Sequence, residues 1–354
     1  MYQVTEIDTK DRDEEPCFLW ANATHLLASN KSDALDVYTH ASGVMTYVGT
    51  IAVNSKAACI FGDYIITTSG TAALAAYNLS TLAFIANIAV GGLSTCTIEV
   101  SATHIFVSSL NFGLVALTFN GTAFTKIADS YADCGVVSTY CVLRINDQTF
   151  VVAEVSPRNM TVLTWSGSAF AKASTVGCGG GNATKALATD GEYIYATGVT
   201  SDQLLAYSLA GTTIGYLTSY QLETSMSDVA GVYANSDAIV TGDRLGVYVL
   251  TFDGSAFTLE CSVVVYPMYD NGIAGSGSYA FVGTFNPDLT SYLIENLYIS
   301  ATPSIGNMVR LSEDRMVVLA KRAPSGEDSE LLVSDFLCRK DGGSTVYDDI
   351  LIEP

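Results

Sequence analysis

The chain has 354 residues, of which 49% are hydrophobic and only 15% charged, yet 36 acidic side chains against 16 basic ones give a net charge of −20. A chain of this length and hydrophobic content can bury a substantial core, which excludes intrinsic disorder. The acidic excess and the scatter of the few basic residues argue against nucleic acids and membrane surfaces as partners, because phosphate backbones and anionic headgroups repel negative charge.

The N-terminal residues and the apolar stretches carry no targeting signal. Residues 1–16 lack the basic start and the apolar core of a secretory signal. The longest mainly apolar stretches, such as residues 82–90, are far shorter than the roughly 20 residues of a membrane-spanning helix. We therefore expect no membrane segment, and we expect the eight cysteines to be reduced thiols.

Four of the cysteines recur at a regular interval. Cys17, Cys59, Cys96 and Cys141 are 42, 37 and 45 residues apart, and a short apolar run follows each of them. Zinc sites show close Cys-x-x-Cys or Cys/His spacing, which is missing here. The interval therefore favours a small buried residue at the same place in successive repeats.

The repeat is clearest in three segments that align without gaps. Each has an alternating apolar strand, then Asn-Gly, Ser-Gly or Asp-Gly, then a second strand; the segments are residues 117–126, 163–172 and 250–259, with a weaker copy at 205–214. Asn-Gly and Asp-Gly favour the positive φ that a tight hairpin turn requires. The segments therefore predict β-hairpins.

Copies of the first hairpin strand recur along the whole chain. There are eight, and another apolar run precedes most of them; they are residues 34–39, 73–78, 114–119, 160–165, 204–209, 247–252, 291–296 and 330–335. Convincing helical periodicity is absent, and the 30 glycines fall at the joints between runs. Each period of about 42 residues therefore holds four short strands.

Four short strands per repeat, many times over in one chain, are typical of β-propeller blades. One twisted sheet cannot cover both of its faces, whereas radial packing against two neighbours covers both, so that blade strands read as apolar runs. The sequence predicts an all-β propeller of four-stranded antiparallel blades, eight by repeat count with seven as the alternative. A parallel β-helix has a shorter repeat, and separate sandwiches would not keep this register.

The domain boundaries follow from the repeat. We expect a single propeller domain over residues 17–354, preceded by an N-terminal strand and acidic linker at residues 1–16. Within that linker, Tyr2-Gln-Val-Thr-Glu-Ile7 is a candidate for the outer strand of the last blade, which would close the ring. The eighth repeat, from residue 330 onward, is the most divergent.

Several blades resemble the LVIVD and YVTN types of propeller. The residues that carry the resemblance are Gly113-Leu-Val-Ala-Leu-Thr-Phe119 after His104-Ile-Phe-Val-Ser108, and Leu245-Gly-Val-Tyr-Val-Leu-Thr-Phe252 after Ala238-Ile-Val-Thr-Gly242. The resemblance covers most of the chain, although there is no Trp-Asp dipeptide of the WD40 type, no sialidase Asp-box and no run of kelch double glycines. It implies a cell-surface or binding protein or, as in a few relatives, lactone hydrolysis.

A catalytic site in this fold would lie in the central channel, which the innermost strand of each blade lines. The polar candidates on these strands are Glu99, Arg144, Lys185, Asp228, Asn271 and Asn307. Only Glu99 and Asp228 are acids, so one carboxylate pair at most could serve as general acid and base. We expect these side chains to be solvated by channel water instead.

Other chemical motifs are missing. Of the three histidines, His25 and His104 occupy equivalent places in the repeat and His40 follows a hairpin strand, and no Gly-x-Ser-x-Gly elbow supports a catalytic triad. Cys178-Gly-Gly-Gly181 lacks the ending of a phosphate-binding loop, and no acidic cluster has the spacing of a calcium cage. Six Asn-x-Ser/Thr sequons occur, at Asn22, Asn30, Asn78, Asn120, Asn159 and Asn182. We expect no catalytic residue, cofactor or metal.

The composition, rich in Ala, Ser, Thr and Gly with few charges, and the missing catalytic set predict a non-enzymatic structural or interaction protein. Its partners would be other protein chains of an assembly, copies of itself included. The predicted location is a virus particle such as a tailed phage, with an extracellular or cell-surface location as the alternative. The alternative function is a lactonase-like propeller enzyme or an adhesin for a small molecule or glycan, since a fold does not define a function.

Overall fold

A computed structural model shows a chain built almost entirely of antiparallel β-strands. The structure describes residues 2–11, 16–30, 33–93, 97–178, 184–198, 203–222, 231–243, 246–263, 272–283, 288–296, 308–310, 315–321, 331–341 and 344–348. Two compact units divide the chain, Met1–Asn296 and Leu297–Pro354, and each is treated by itself.

Seven four-stranded sheets make up the first unit, and we number them blades 1 to 7 along the chain. The first strand of the chain, β1 (Tyr2–Asp11), belongs to blade 7. The strands of blades 1 to 3 are β2 (Pro16–Ala21), β3 (His25–Asn30), β4 (Ala34–Ala41) and β5 (Val44–Ala52); β6 (Ala58–Phe61), β7 (Tyr64–Ser69), β8 (Ala73–Asn78) and β9 (Phe84–Ala89); and β10 (Ile98–Val100), β11 (Ile105–Ser109), β12 (Gly113–Phe119) and β13 (Phe124–Asp129).

The remaining blades follow the same plan. Their strands are β14 (Thr139–Asn146), β15 (Thr149–Glu154), β16 (Asn159–Trp165) and β17 (Phe170–Gly177); β18 (Thr184–Thr189), β19 (Tyr193–Gly198), β20 (Gln203–Ala210) and β21 (Thr213–Gln221); β22 (Val232–Ala234), β23 (Ile239–Asp243), β24 (Gly246–Phe252) and β25 (Phe257–Val263); and β26 (Ile273–Ser276), β27 (Tyr279–Gly283) and β28 (Asp288–Asn296) with β1. One short helix, α1 (Ser130–Cys134), follows β13. Within the described residues, no helix has the length and apolar character needed to cross a membrane.

The seven blades form a closed ring. The first strand of each blade contacts the first strand of the next, and β26 of blade 7 contacts β2 of blade 1. The predicted propeller of four-stranded antiparallel blades is confirmed. The number of blades is seven, the alternative stated from the sequence, and the count of eight repeats overstates the ring by one.

The seventh blade takes its outer strand from the start of the chain. β1 pairs with β28 along its whole length, from Tyr2 opposite Asn296 to Asp11 opposite Asp288. A side chain of β1 also reaches blade 1, where the Asp8 carboxylate accepts a hydrogen bond of 2.7 Å from the Met45 N–H. The ring is therefore fastened by β1, without the repeat that begins near residue 330.

The second unit is a single antiparallel sheet that includes the last predicted hairpin strand. Its strands, in sheet order, are β29 (Met308–Arg310), β30 (Arg315–Lys321), β31 (Leu331–Asp341) and β32 (Ser344–Asp348). β31 includes most of the eighth predicted hairpin strand, of which Glu330 lies outside the described residues. All eight predicted hairpin strands thus fall in the third strand of a four-stranded sheet.

The core of the ring lies between blades. Phe106 of blade 3 packs on Phe150 of blade 4 with ring centroids 4.3 Å apart, and Leu26 of blade 1 shares a buried cluster with Phe281 of blade 7. All five residues of β11 are buried, so neither face of this strand meets water. This double covering explains why the strands read as unbroken apolar runs.

Every outer strand of the ring carries one extra residue relative to the third strand. The register shifts by one at the same place in all seven blades, which leaves unpaired Ile7, Val48, Ile85, Ile127, Ala173, Leu217 and Glu260. Such a bulge bends the strand and increases its twist. A bent edge is a poor template for pairing with another chain, so the circumference is protected against sheet extension.

Aromatic side chains pack between neighbouring blades, close to the predicted hairpin turns. Tyr193, the first residue of β19, meets Phe252 of blade 6 edge to face with ring centroids 5.0 Å apart. The hairpin that follows Phe252 turns at Gly254, where φ is +91° and an added Cβ would lie 2.6 Å from the Tyr193 hydroxyl. At Gly167, the equivalent glycine of blade 4, φ is +98° and no other atom lies within 4 Å of that position.

The two glycines allow the contact between blades to be separated from turn strain. Gly167→Ala should lower the free energy of unfolding by about 1–2 kcal/mol, the cost of a positive φ for alanine. Gly254→Ala should cost about 1 kcal/mol more, because its methyl group also displaces Tyr193. Urea denaturation measures both values. Equal losses would show that the tyrosine contact contributes nothing, and Tyr193→Phe in the Gly254→Ala background should recover the additional loss.

The contribution of the β1 closure can be measured at Asp8. Asp8→Ala should lower the free energy of unfolding by about 2 kcal/mol, because the buried Met45 N–H then lacks an acceptor. Asp8→Asn keeps an acceptor oxygen and should cost less than half as much. Lys10→Ala removes only the half-exposed ion pair with Asp8, at 3.1 Å, and is the control, expected within about 1 kcal/mol. A similar loss for the alanine and asparagine variants would contradict this role of the hydrogen bond.

Candidate functional site

The central channel contains a cavity of about 180 Å³ midway along the innermost strands. Its walls come from six blades, and most of the lining residues are apolar types, with Trp20 on β2, Leu187 on β18 and Ile273 on β26 among them. Glu99 of β10 also lines it, and it is the one ionisable side chain among the lining residues. The cavity is partly open to solvent.

Glu99 is a half-buried carboxyl group in apolar surroundings. Burial raises its pKa to about 7, although the charge of Arg144 and a hydrogen bond from the Arg144 main-chain N–H both act to lower it. Desolvation therefore outweighs the nearby cation, because the channel wall offers the ionised form little hydration. At neutral pH this carboxyl group exchanges readily between its charged and neutral forms.

Arg144 lies beside Glu99, on the innermost strand of the next blade. Its guanidinium points toward the end of the strand, where Nη1 donates a hydrogen bond of 2.9 Å to Asp147. Its Nε is buried and has no hydrogen-bond partner within the described part of the chain. The structure thus brings together two of the predicted channel residues, while Lys185 lies on β18 and Asp228, Asn271 and Asn307 fall outside the described residues.

The chemical capacity of the described channel is narrow. One carboxyl group can bind a cation or exchange a proton, but general acid–base hydrolysis needs a second convergent group. No group of three or more His, Cys, Asp or Glu side chains in the described ranges could hold a metal ion. The buried thiols are poor nucleophiles as well, because burial raises the pKa of Cys59 and of Cys141 and so keeps the thiolate scarce.

The second candidate site is one end of the ring, which we call the turn face. It consists of the turns between the first and second strands and between the third and fourth strands of the blades. Side chains cap these turns from within. The Asn120 Oδ1 accepts hydrogen bonds from the N–H groups of Thr122 at 3.0 Å and Ala123 at 2.8 Å, and Asp253 does the same for Ser255 and Ala256, both at 2.8 Å. Such turns are rigid because each cap replaces a backbone hydrogen bond.

The turn face is negatively charged. Its described turns contain six carboxylates and no lysine or arginine; the acids are Asp63, Asp147, Asp190, Glu192, Asp237 and Asp253. All but Asp190 are exposed. Hydrogen bonds from Ala256 and Ser255 lower the pKa of Asp253, so its charge is held firmly. The scattered acidic excess of the sequence is thus partly gathered on one surface.

The same caps explain three of the six sequons. Asn22, Asn78 and Asn120 lie in turns of this face, and each Oδ1 accepts a hydrogen bond from the hydroxyl group two residues later, at 3.3, 2.8 and 2.9 Å. Ser166 and Asp253 occupy the same turn position in other blades. The turn favours Asn, Asp or Ser followed by Ser or Thr, so turn capping by itself accounts for the sequon pattern at these three positions.

The histidines also belong to the turn face. His25 and His104 stand at equivalent places before or at the start of a second strand, and the Nδ1 of each is 2.8 Å from the preceding threonine hydroxyl. His40 is buried, with Nε2 2.7 Å from the Asn22 carbonyl oxygen. Burial, and then the proximity of His40, lowers the pKa of His25. The prediction that His25 and His104 are equivalent repeat positions is confirmed.

The raised pKa of Glu99 predicts that the free energy of unfolding decreases with rising pH. Between pH 4.5 and about 7 the unfolded chain ionises this group while the folded chain keeps its proton, so the free energy of unfolding falls as pH rises through that window. Glu99→Gln should remove this dependence and be more stable than the parent by about 3 kcal/mol at pH 8, with a difference below about 0.5 kcal/mol near pH 4.5. Denaturation at both pH values measures it, with the exposed Glu192→Gln as a control for net charge. If the stability gain of Glu99→Gln does not grow with pH, the pKa of Glu99 is not raised in the folded protein.

Known structures share this fold. The structure of U3-55K matches with a TM-score of 0.62 at 8% identity, over 82% of this chain and 98% of that one. The WD40 β-propeller domain of Doa1 matches with a TM-score of 0.64 at 12% identity, over 86% of this chain and 100% of that one.

At these identities the similarity shows the fold alone. No family model matches the sequence, and no curated protein matches it either. The resemblance to LVIVD-type and YVTN-type blades therefore stays a prediction. The chain is a seven-bladed β-propeller with WD40 domains among its structural neighbours, although it lacks their Trp-Asp dipeptide.

Proposed function

We propose that this protein is a non-enzymatic propeller that acts as a rigid platform for contacts with other protein chains. The observation that carries the proposal is the turn face, a broad surface of short capped turns with exposed carboxylates and, among the described turns, no basic side chain. Because its turns are already ordered, a partner would bind it with little loss of conformational entropy. The similarity to a WD40 domain adds a fold that presents loops from many blades on one surface.

The charge of the turn face specifies the chemistry of the partner. Six carboxylates attract a surface rich in lysine or arginine and repel an acidic one, which affects association rate and specificity more than final affinity. The same charge accounts for our expectation that nucleic acids are not partners. The partner surface is therefore basic and proteinaceous.

The channel supports the non-enzymatic part of the proposal. Its described residues supply one carboxyl group and a neighbouring arginine that is bonded away from the cavity, which is less than hydrolysis of a lactone requires.

Composition supports a further proposal on location. The low charge density and the Ala, Ser, Thr and Gly content suit a component of a virus particle, where a disc-shaped module would be present in many copies. Quantitative mass spectrometry of purified particles checks this, with an abundance matching other structural proteins as the expected result. Recovery only from membranes or culture medium would favour the cell-surface alternative.

The platform is tested by placing a photo-crosslinking residue at Asp63 on the turn face or at Thr71, an exposed residue at the other end of the same blade. In the native source, the residue at position 63 should capture one basic protein in defined stoichiometry, and the residue at position 71 should not. Equal capture at both ends would contradict a role for the turn face.

Charge reversal then measures the contribution of the surface to binding the captured partner. Asp63→Lys should slow association about threefold to tenfold and reduce its dependence on salt. The double variant Thr71→Lys, Ala72→Lys changes net charge by the same amount on the opposite end of blade 2, and it should bind at the parental rate. Association kinetics at two salt concentrations measure the rate and its salt dependence for each variant. Equal slowing by both variants would point to net charge alone.

A further inference from the structure

The cavity in the central channel is lined by side chains that are mostly apolar, by main-chain polar atoms and by a single acid, and the proposed platform function makes no use of it. Its volume of about 180 Å³ is slightly larger than the roughly 150 Å³ of an apolar protein cavity that accepts benzene. Trp20 offers an indole ring and Leu187 and Ile98 offer aliphatic surface, with Glu99 in the same wall. The space therefore fits an apolar body of about six or seven carbon atoms with one polar group.

Among the described lining residues of the cavity, Glu99 is the only charged side chain. The nearest basic group, Arg144, is not a lining residue, and its Nη1 is bonded to Asp147 at 2.9 Å. Thr97 also lines the cavity, but its hydroxyl is already bonded to the main chain of Val142, accepting from the N–H at 2.7 Å. A buried carboxylate is stabilised by a close positive charge. Arg144 supplies part of that charge from outside the cavity, and the described lining residues add none.

We propose that this cavity binds a small organic ammonium ion, with Glu99 as its counter-ion and Trp20 and Leu187 against its apolar body. The indole face attracts a cation in addition to packing against a hydrocarbon. Anionic ligands are disfavoured by Glu99. A divalent metal ion would need several oxygen ligands, whereas the described walls supply one carboxylate.

The protonation of Glu99 supports this assignment and gives it a signature. Because burial raises its pKa to about 7, a bound ammonium ion must displace a proton from a part of the molecules at pH 6.5. Binding should therefore release protons at pH 6.5 and should tighten about threefold to tenfold between pH 6 and pH 8, while the amine itself stays charged.

The test uses the full chain and benzylammonium as the probe, with titration calorimetry at pH 8. Benzyl alcohol and benzoate have nearly the same shape and carry no charge or the opposite charge, and both should bind at least tenfold more weakly. Glu99→Gln, which we expect to be at least as stable as the parent, should weaken benzylammonium at least tenfold and abolish the pH dependence. Ala21→Leu fills part of the cavity from a half-buried lining position and should weaken all apolar probes alike.

Three results would overturn the proposal. Benzylammonium binding that persists unchanged in Glu99→Gln would mean that the site is elsewhere. Equal binding of benzyl alcohol would mean that the cavity binds apolar molecules without selecting for a positive charge. An Nα-acetylated lysine amide is the last probe, because a lysine side chain of a partner carries the same ammonium group. Tighter binding of that compound than of benzylammonium would overturn the assignment to a free small molecule. Circular dichroism confirms that each variant is folded.

Discussion

Every blade of the ring depends on apolar contact with two neighbours. A four-stranded blade has buried residues on both faces, as β11 shows, so each blade needs two neighbours, and blades 1 and 7 gain their second neighbour only when the ring has no open end. The pairing of β1 with β28 provides this condition, because it completes blade 7 and carries Asp8 to the edge of blade 1. The rigidity of the turn face and the shape of the channel both follow from that closure.

Much of the ring could be predicted because its signals are local. An Asn-Gly or Asp-Gly turn between apolar strands predicts a hairpin from a few residues, and the hairpins of β12 with β13, β16 with β17 and β24 with β25 are confirmed. The number of blades is not local. It depends on where the first strand of the chain finds its partner, and counting repeats cannot distinguish a ring of eight blades from a ring of seven with one further sheet in the chain. The bulge at positions such as Val48 cannot be predicted from the sequence pattern either, because it is a property of the register between two paired strands.

The candidate sites were predictable to different degrees. Sequence periodicity placed Glu99 and Arg144 among the candidates on innermost strands. It could not show that these two are neighbours, nor reveal a cavity whose volume depends on residues from six blades. The turn face was missed, although its signal was present. Acidic residues lie at turn positions after apolar runs, for example Asp63 and Asp253, and only the ring brings them to the same end. Three-dimensional proximity, rather than residue type, was the missing information.

The closing strand has a consequence for the order of synthesis. β1 precedes every other strand of the ring in the chain, and its partner β28 ends at Asn296, so the ribosome must add the rest of the ring before the two can meet. At about 5–20 residues per second this delay lasts on the order of 15–60 s. During that time β1 is an unpaired strand among other nascent chains. Its charged residues are Glu6, Asp8, Lys10 and Asp11. Because charges along an open edge discourage pairing with the wrong strand, these residues protect β1 before the ring has folded.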